Sequence, residues 1–416
     1  MNKFKIFNDP LYGFITIPNG IIFDLIEHKY FQRLRRISQT GLTQYVYPGC
    51  THSRFLHALG CLNLMQKAVQ TLRLKNVEIS PEEEQAVYIA ILLHDIGHGP
   101  FSHTLERTIV KDVSHEQISL QLMHYLNTET GGRLNLAIEI FTGKYPRYFL
   151  NELIASQLDI DRLDYLKRDS FFSGVAEGNI NSDRIISMLN VHENRLVIDE
   201  KGIYSVEKFL ISRMFMYWQV YMHKTSLAAE IYLTQAFRRA QELAQNGEKL
   251  PATPALEYFL SRQKKDDFDF NDINAFVDLD DNDILFALKQ WQNQEDEILS
   301  ILAKSIIQRK LPKAEIYNQK IPKEEIEKQV QLCEKLLGAG SSSYFVHDTE
   351  MSVTPYNKES HPILLLNKKK QCMDIAESPK QILTQPLYLK TVKHHFCSWN
   401  QEKLLRLKKN KYFVEI

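Results

Sequence analysis

The chain has 416 residues, 44% hydrophobic and 25% charged, and its 51 basic and 51 acidic side chains cancel. That length accommodates one large domain and a smaller one with ample core, and the composition is ordinary for a globular protein. The charge balance gives no case for a nucleic-acid or membrane-surface partner, although a local basic pocket would escape such a count.

Five cysteines, odd in number and without a C-x-x-C pair, fit reduced thiols rather than a disulfide framework or a structural zinc site. The first residues are too poor in apolar side chains for a signal peptide, and no apolar run is long enough to span a bilayer. The expectation is a cytoplasmic protein.

Phe4 to Pro18 alternates and carries the turn signal Asn8-Asp9-Pro10, which predicts a hairpin or extended entry. Ile21 to Ser38 has helical periodicity, with Arg33, Arg35 and Arg36 on its flank. The next helix, from about Ser53 to Leu74, puts Arg54 and His57 on one face. Ser80, Pro81 and Glu83 form the start of a helix over Glu82 to Asp95. Its apolar run Ala86 to Leu93 ends in His94-Asp95 just before Gly97. Ser114 and Gln117 make a second capping box, with His115 and Glu116 in the first turn.

Leu150 to Asp169 reads as one helix, with Asp161, Tyr165 and Asp169 on one polar stripe. Arg195 to Ile198 reads as a strand, and Val206 to Gln245 as a long helical stretch. Lys264 to Asp283 looks like a charged loop, a charged helical region follows to Leu337, and Gly338 to Ser343 is a linker signal. Ile363 to Leu366 and Leu387 to Val392 are β-like, and a basic tail closes the chain. The expected architecture is mainly α: residues 1–250 form a helical core with an extended N-terminal segment. Residues 251–416 form a helical extension and a small α+β lobe.

A buried helix that delivers a carboxylate is costly unless the charge is paired or bound to a cation. An isolated His-Asp pair would read as a satisfied core histidine, and the 161–169 stripe alone as a solvated helix face. Seven of the 14 histidines, however, fall between His52 and His124. His57 from the neighbouring helix and a carboxylate from the Asp159–Asp169 helix could join His94 and Asp95 in a His-His-Asp-Asp set. Such mixed ligands suit Fe, Mn, Ni, Zn or Mg without choosing among them. A metal of this kind polarises a phosphoryl oxygen and lowers the pKa of bound water. Arg54 and Arg162 beside it would neutralise phosphate, and His98, His103 and His115 are candidate proton donors. The parts spell metal-assisted phosphoester hydrolysis.

His57, His94-Asp95 and Asp161 match the H…HD…D pattern of the HD-domain phosphohydrolases. Phe7 to Pro10, Phe31 to Arg36, Tyr47 to Gly49, Ser53 to His57, His94 to His103, His115-Glu116 and Asp161 to Tyr165 resemble the deoxynucleoside triphosphate triphosphohydrolase branch. The likeness covers residues 4–240. It implies an HD-domain helical core and release of intact triphosphate from a deoxynucleoside triphosphate. By position, it implies metal ligation by His57, His94, Asp95 and Asp161. His103 becomes the general acid, with His98 and His115 around the phosphates. Arg54, Arg162 and Arg213 become a triphosphate clamp. Gln39, Tyr165 and Asp169 would contact sugar and α-phosphate, and Tyr221 the sugar face where a 2′-hydroxyl would sit.

Members of this branch often form homo-oligomers, so a dimer or tetramer is expected. Lys5, Asn8, Gln32, Arg35 and Lys224 fall on regulatory-nucleotide positions; read without the resemblance, they are surface charges. Three departures stand out: Glu106 where Asp is common beside the catalytic histidine, Thr40 for an apolar residue next to Gln39, and Glu27 for an Asp that reads guanine at the regulatory site. Two alternatives stay open. One is hydrolysis of another nucleotide, monophosphate or cyclic, for which three clamp arginines are excessive. The other is a nucleotide-sensing module without catalysis, against which the complete ligand set and His103 argue.

Overall fold

A computed structural model describes residues 5–18, 20–110, 113–262, 268–382, 389–399 and 404–405. It is mainly α-helical, with a small sheet-containing C-terminal region. Strands β1 (Lys5–Asp9) and β2 (Gly13–Ile17) form an antiparallel hairpin with Lys5 opposite Ile17. Asp9 closes its turn by accepting from the Leu11 and Tyr12 backbone N–H groups. Phe4 lies outside the described residues.

The helix expected over Ile21 to Ser38 is broken. Helix α1 (Ile21–Glu27) stops at His28, whose extended backbone and ring nitrogen cap α2 (Lys29–Gln32), and a 3-10 turn follows over Arg33–Arg36. The break has a purpose: it turns Arg33 inward, where it is 1% exposed and donates to the carbonyls of Ile96, His98 and Leu279.

Helix α3 (Arg54–Leu74) and α4 (Pro81–Leu93) pack side by side at the centre. Helix α4 begins with the expected reciprocal capping box of Ser80 and Glu83, worth about 1 kcal/mol. From Ala86 to Leu93 every residue is buried, as a helix apolar on all sides requires. Next come α5 (His103–Ile109), α6 (His115–Glu129, with the predicted Ser114–Gln117 box), α7 (Asn135–Phe141) and α8 (Phe149–Glu152). The single helix expected over Leu150 to Asp169 is two. Asp159 caps a separate helix α9 (Ile160–Ser173) by accepting from the Arg162 N–H. Helix α9 lies against α3.

After α10 (Ser182–Met188), strands β3 (Leu189–His192) and β4 (Arg195–Asp199) form a hairpin. The long stretch from Val206 is also divided: α11 (Ile203–Met216) runs into a π-helical turn over Tyr217–Tyr221, and α12 (Lys224–Gln245) restarts after His223, which caps Thr225. Helices α13 (Pro254–Ser261), α14 (Phe270–Val277), α15 (Asp281–Trp291) and α16 (Glu297–Ile307) follow. Part of the expected charged loop is therefore helix. Asp269 and Asp272 form a capping box, and Ile273, Phe276 and Val277 give α14 a buried face that the surrounding charges obscure.

Strand β5 (Lys313–Tyr317), α17 (Lys323–Leu337), α18 (Ser342–Phe345), β6 (His347–Val353), β7 (Leu364–Leu366), β8 (Cys372–Asp374) and β9 (Thr391–Ser398) complete the described chain. Strand β9 pairs antiparallel with β5 and β6, while β7 extends the β3–β4 hairpin in parallel and β8 caps the edge. The β-like run expected from Leu387 begins outside the described residues, as does the basic tail beyond Leu405. One apolar cluster runs from Ile15 to Leu404 and surrounds α3 and α4.

Candidate metal centre and cavity

Three helices converge on one point. Helix α3 contributes His57, the C-terminal end of α4 contributes His94 and Asp95, and the first turn of α9 contributes Asp161. His57 Nε2 lies 3.1 Å from Asp161 Oδ1, and His94 Nε2 lies 3.5 Å from the same oxygen. The Asp95 oxygens stand 3.6 Å from His57 Nε2 and 3.4 Å from His94 Nε2.

Both imidazoles have their other nitrogen engaged: His57 Nδ1 contacts Asp164 Oδ2 at 2.8 Å, and His94 Nδ1 contacts the Ile91 carbonyl at 2.6 Å. That arrangement fixes the tautomer and aims each Nε2 at the common point. His94 Nε2 is buried and, among the described residues, has no hydrogen-bond partner. An orphaned ring nitrogen facing two carboxylates fits a divalent cation, and His57, His94 and Asp161 offer ligating atoms all within 4.8 Å of one another.

Cys61 belongs to the same group of neighbours, yet its Sγ lies 3.5 Å from His57 Nδ1 and 3.6 Å from Nε2. Near-equal distances put the sulfur beside the ring, away from the direction of the Nε2 lone pair. Burial pushes the Cys61 thiol well above its usual range, so it packs as a neutral neighbour of the ligand.

Behind His57 stands a buried network that sequence reasoning missed. Arg168 donates to Asp164 at 2.8 and 3.0 Å and to Asp9 at 2.8 Å, and all three residues are buried. Gly60 makes room for it: a Cβ there would fall 2.1 Å from Asp164 Oδ1. The i, i+4 spacing of Asp164 and Arg168 was a readable signal; the partnership with Asp9 was not.

Beside the metal centre lies a second histidine group. His98 stacks on His115 with centroids 3.9 Å apart, and its Nε2 is 3.3 Å from Asp95 Oδ1. Burial first, then the Arg54 charge, holds the His98 imidazole well below its usual pKa. Glu106 joins the other two: Oε1 accepts from the His115 backbone N–H at 2.9 Å and meets His115 Nδ1 at 2.8 Å, while Oε2 is 3.0 Å from His103 Nδ1. The longer glutamate thus spans both imidazoles.

Phe101 and Ser102 carry positive φ angles of 52° and 53°, a costly conformation outside glycine. Asp281, also missed in the sequence, holds them from α15 by accepting from the Phe101 N–H at 2.7 Å and from Ser38 N–H and Oγ–H.

A cavity of about 360 Å³ opens onto both groups. Arg54 lines it, donating through Nη1 to Asp95 and through Nε to Ser102 Oγ at 2.9 Å. Gln39, Tyr165, Asp169 and Tyr221 also line it. The Tyr221 hydroxyl donates to Asp169 Oδ2 at 2.6 Å, and His52, a further missed residue, meets Oδ1 at 2.7 Å.

The other two clamp candidates are placed differently. Arg162 turns to Asp159 and the Ser156 carbonyl, and Arg213 stands with its guanidinium 5.8 Å from the Tyr217 ring centroid; neither lines the cavity. The regulatory candidates lie outside it as well. Lys5, Asn8, Glu27, Arg35 and Lys224 are exposed, Lys5 packs over Phe23, and Gln32 bonds Arg35 and the Ile26 carbonyl. Among the described residues, no helix is long and apolar enough to cross a membrane.

Comparison with known proteins gives this geometry a family. A model described as HD domain matches residues 54–169, and one described as HD associated region matches 180–252. The chain is 32% identical over 391 residues to the uncharacterized protein YwfO of Bacillus subtilis, covering 90% of this chain and 88% of the relative. It is 27% identical over 350 residues to the deoxynucleoside triphosphate triphosphohydrolase SAMHD1 of Homo sapiens, covering 72% of this chain and 53% of that protein. A crystal structure of a phosphohydrolase from Bacteroides thetaiotaomicron aligns with a TM-score of 0.92 at 46% identity, over 96% of this chain and 100% of that one. The chain belongs to the HD-domain phosphohydrolases.

Proposed function

We propose that this chain hydrolyses deoxynucleoside triphosphates to deoxynucleoside and intact triphosphate. The observation that carries the reading is the single cavity that joins the metal-ligand set and Arg54 to a wall of Gln39, Tyr165, Asp169 and Tyr221. Similarity to SAMHD1 proteins supports it.

His57, His94, Asp95 and Asp161 would hold a divalent ion, which supplies phosphoryl polarisation and an activated water. Arg54 binds a phosphate oxygen. His103, whose side chain is 69% exposed and whose Nδ1 is held by Glu106, hands its Nε2 proton to the departing sugar oxygen. His98 and His115 donate to phosphate oxygens. Tyr221, fixed by Asp169 and His52, presses on the sugar face, and a wall of this kind rejects an added hydroxyl modestly, by about a hundredfold at most.

Arg162 and Arg213 do not line the cavity, and this favours a second reading, hydrolysis of a nucleotide with fewer phosphates. Product analysis decides between them. The protein is incubated with each dNTP and rNTP, singly and mixed, with Mg, Mn or Fe. Deoxynucleoside plus triphosphate is the expected result, whereas monophosphate plus pyrophosphate, or cleavage of monophosphates alone, overturns it.

Turnover only in mixtures would support a regulatory nucleotide held by Lys5, Asn8, Gln32, Arg35 and Lys224 between subunits of a homo-oligomer. The free cysteines fit a cytoplasmic setting.

A further inference from the structure

Glu230 is a carboxyl that neither the metal centre nor the proposed chemistry uses. It projects from α12 and lines the cavity. Among the described residues its carboxyl makes no hydrogen bond and no ion pair. A Cβ built on Gly41 would stand 3.5 Å from Glu230 Oε1, 3.2 Å from Thr104 Oγ1 and 3.4 Å from the Phe101 carbonyl. Gly41, the Thr104 hydroxyl and the Phe101 carbonyl thus lie on its side of the wall.

Burial alone pushes this carboxyl up to about 8. In the cavity wall it stands beside Gly41, with Thr104 on the same side. Glu230 is half-buried in the cavity wall, and shielding a carboxyl from water without giving it a partner is costly. One that lines a ligand cavity can be satisfied by the ligand, and such perturbed groups concentrate at functional sites. Near neutral pH it is protonated and presents one O–H donor beside one carbonyl acceptor.

We infer that Glu230 determines substrate specificity by pairing with a nucleobase edge that carries an amino group next to an unprotonated ring nitrogen. The amino group donates to the carboxyl carbonyl and the ring nitrogen accepts from its O–H. Adenine, cytosine and guanine offer this pattern, and thymine does not. The inference rests on the reading of the cavity as a nucleotide site, with the phosphates at Arg54 and the base at Gly41, Thr104 and Glu230.

The test is a competition assay in which the full-length protein meets an equimolar mixture of the four dNTPs and each nucleoside product is followed. Each amino-bearing substrate is expected to exceed dTTP in kcat/KM by about tenfold, the effect of one satisfied buried polar group. Glu230→Leu should erase the preference, while Glu230→Gln, whose amide keeps one donor beside one acceptor, should retain it. Equal use of dTTP by the wild type, or an unchanged preference in Glu230→Leu, overturns the inference.

Calorimetric titration with deoxyadenosine and thymidine separates this outcome from failure of the hydrolase reading. If no dNTP is turned over but deoxyadenosine binds more tightly than thymidine in a Glu230-dependent way, the reaction assignment falls and the role of Glu230 stands. If the two nucleosides bind equally, the role falls too. Inorganic triphosphate, probing only the phosphate end, should bind wild type and Glu230→Leu alike, and weaker binding to the variant would overturn the placement of Glu230 at the base.

Discussion

His57, His94 and Asp95 form a buried group, with Asp161 half-buried beside them, in which each imidazole is locked by a second contact, one of them an ion-paired network reaching back to the N-terminal hairpin. His98, His103 and His115, a few ångströms away, are held differently. His103 is largely exposed, and it shares the single carboxylate of Glu106 with His115. The difference follows the tasks proposed for them. Ligands to a cation need fixed geometry and a desolvated carboxylate, which the low-dielectric interior supplies only when every remaining hydrogen bond is made. Groups that meet phosphate and move a proton need access to the cavity and a neighbour that tunes them.

The largest expected effect lies in the first group. Asp161→Asn should lower bound metal from about one ion per chain to near none by elemental analysis, and kcat by about a thousandfold or more. Full metal content in the variant would remove Asp161 from the ligand set. One step back, Asp164→Asn leaves the ligands in place but removes the negative charge that His57 Nδ1 and Arg168 share, and turns one acceptor towards Arg168 or His57 into an N–H donor. Metal affinity should fall about 10–100-fold in a competition titration. Unfolding stability in urea should drop by roughly 3–5 kcal/mol, the range for breaking a buried ion pair. Unchanged affinity would reduce the network to scaffolding.

How much of this could be read from the chain depended on whether the signal was local. The α4 capping box, the His94-Asp95 terminus and the i, i+4, i+8 stripe of α9 are written in neighbouring residues, and the structure brings His57, His94, Asp95 and Asp161 together. The helix breaks at His28, Asp159 and His223 escaped because periodicity continues across them, while a side-chain cap restarts the backbone. Asp9, His52 and Asp281 escaped because their partners lie far away in sequence, and Glu230 because only the fold brings α12 to the cavity. Asp281 meets Phe101 across 180 positions, and no spacing rule reaches that far. Arg162 shows the converse: its position suggested a phosphate contact, but Asp159, three residues earlier, takes the guanidinium.

The second group should respond more mildly. Glu106→Gln removes the carboxylate that spans His103 and His115 and should lower kcat by about a hundredfold, with metal content unchanged. Loss of metal would merge the two groups into one. The same carboxylate carries a pH signature. Burial would raise its pKa, but the contacts with His103 and His115 win and hold it far below the usual 4.5. A depressed folded-state value means stability that is present above pH 4.5 and is lost as pH falls below it. The urea midpoint of Glu106→Gln should therefore lag wild type at pH 7, with the gap closing progressively below pH 4.5; a constant gap would assign the effect to packing.

The smallest effect is expected at Cys61. Its sulfur is as near Nδ1 as Nε2 of His57, outside the direction in which His57 binds an ion. Cys61→Ser should leave metal affinity within about twofold while lowering stability by roughly 1–3 kcal/mol, the cost of a buried hydroxyl whose hydrogen bonds are not fully made. Cobalt substitution sharpens the point. A sulfur-to-cobalt charge-transfer band that vanishes in Cys61→Ser would move the thiol into the ligand set and make this centre softer than its histidines and carboxylates imply.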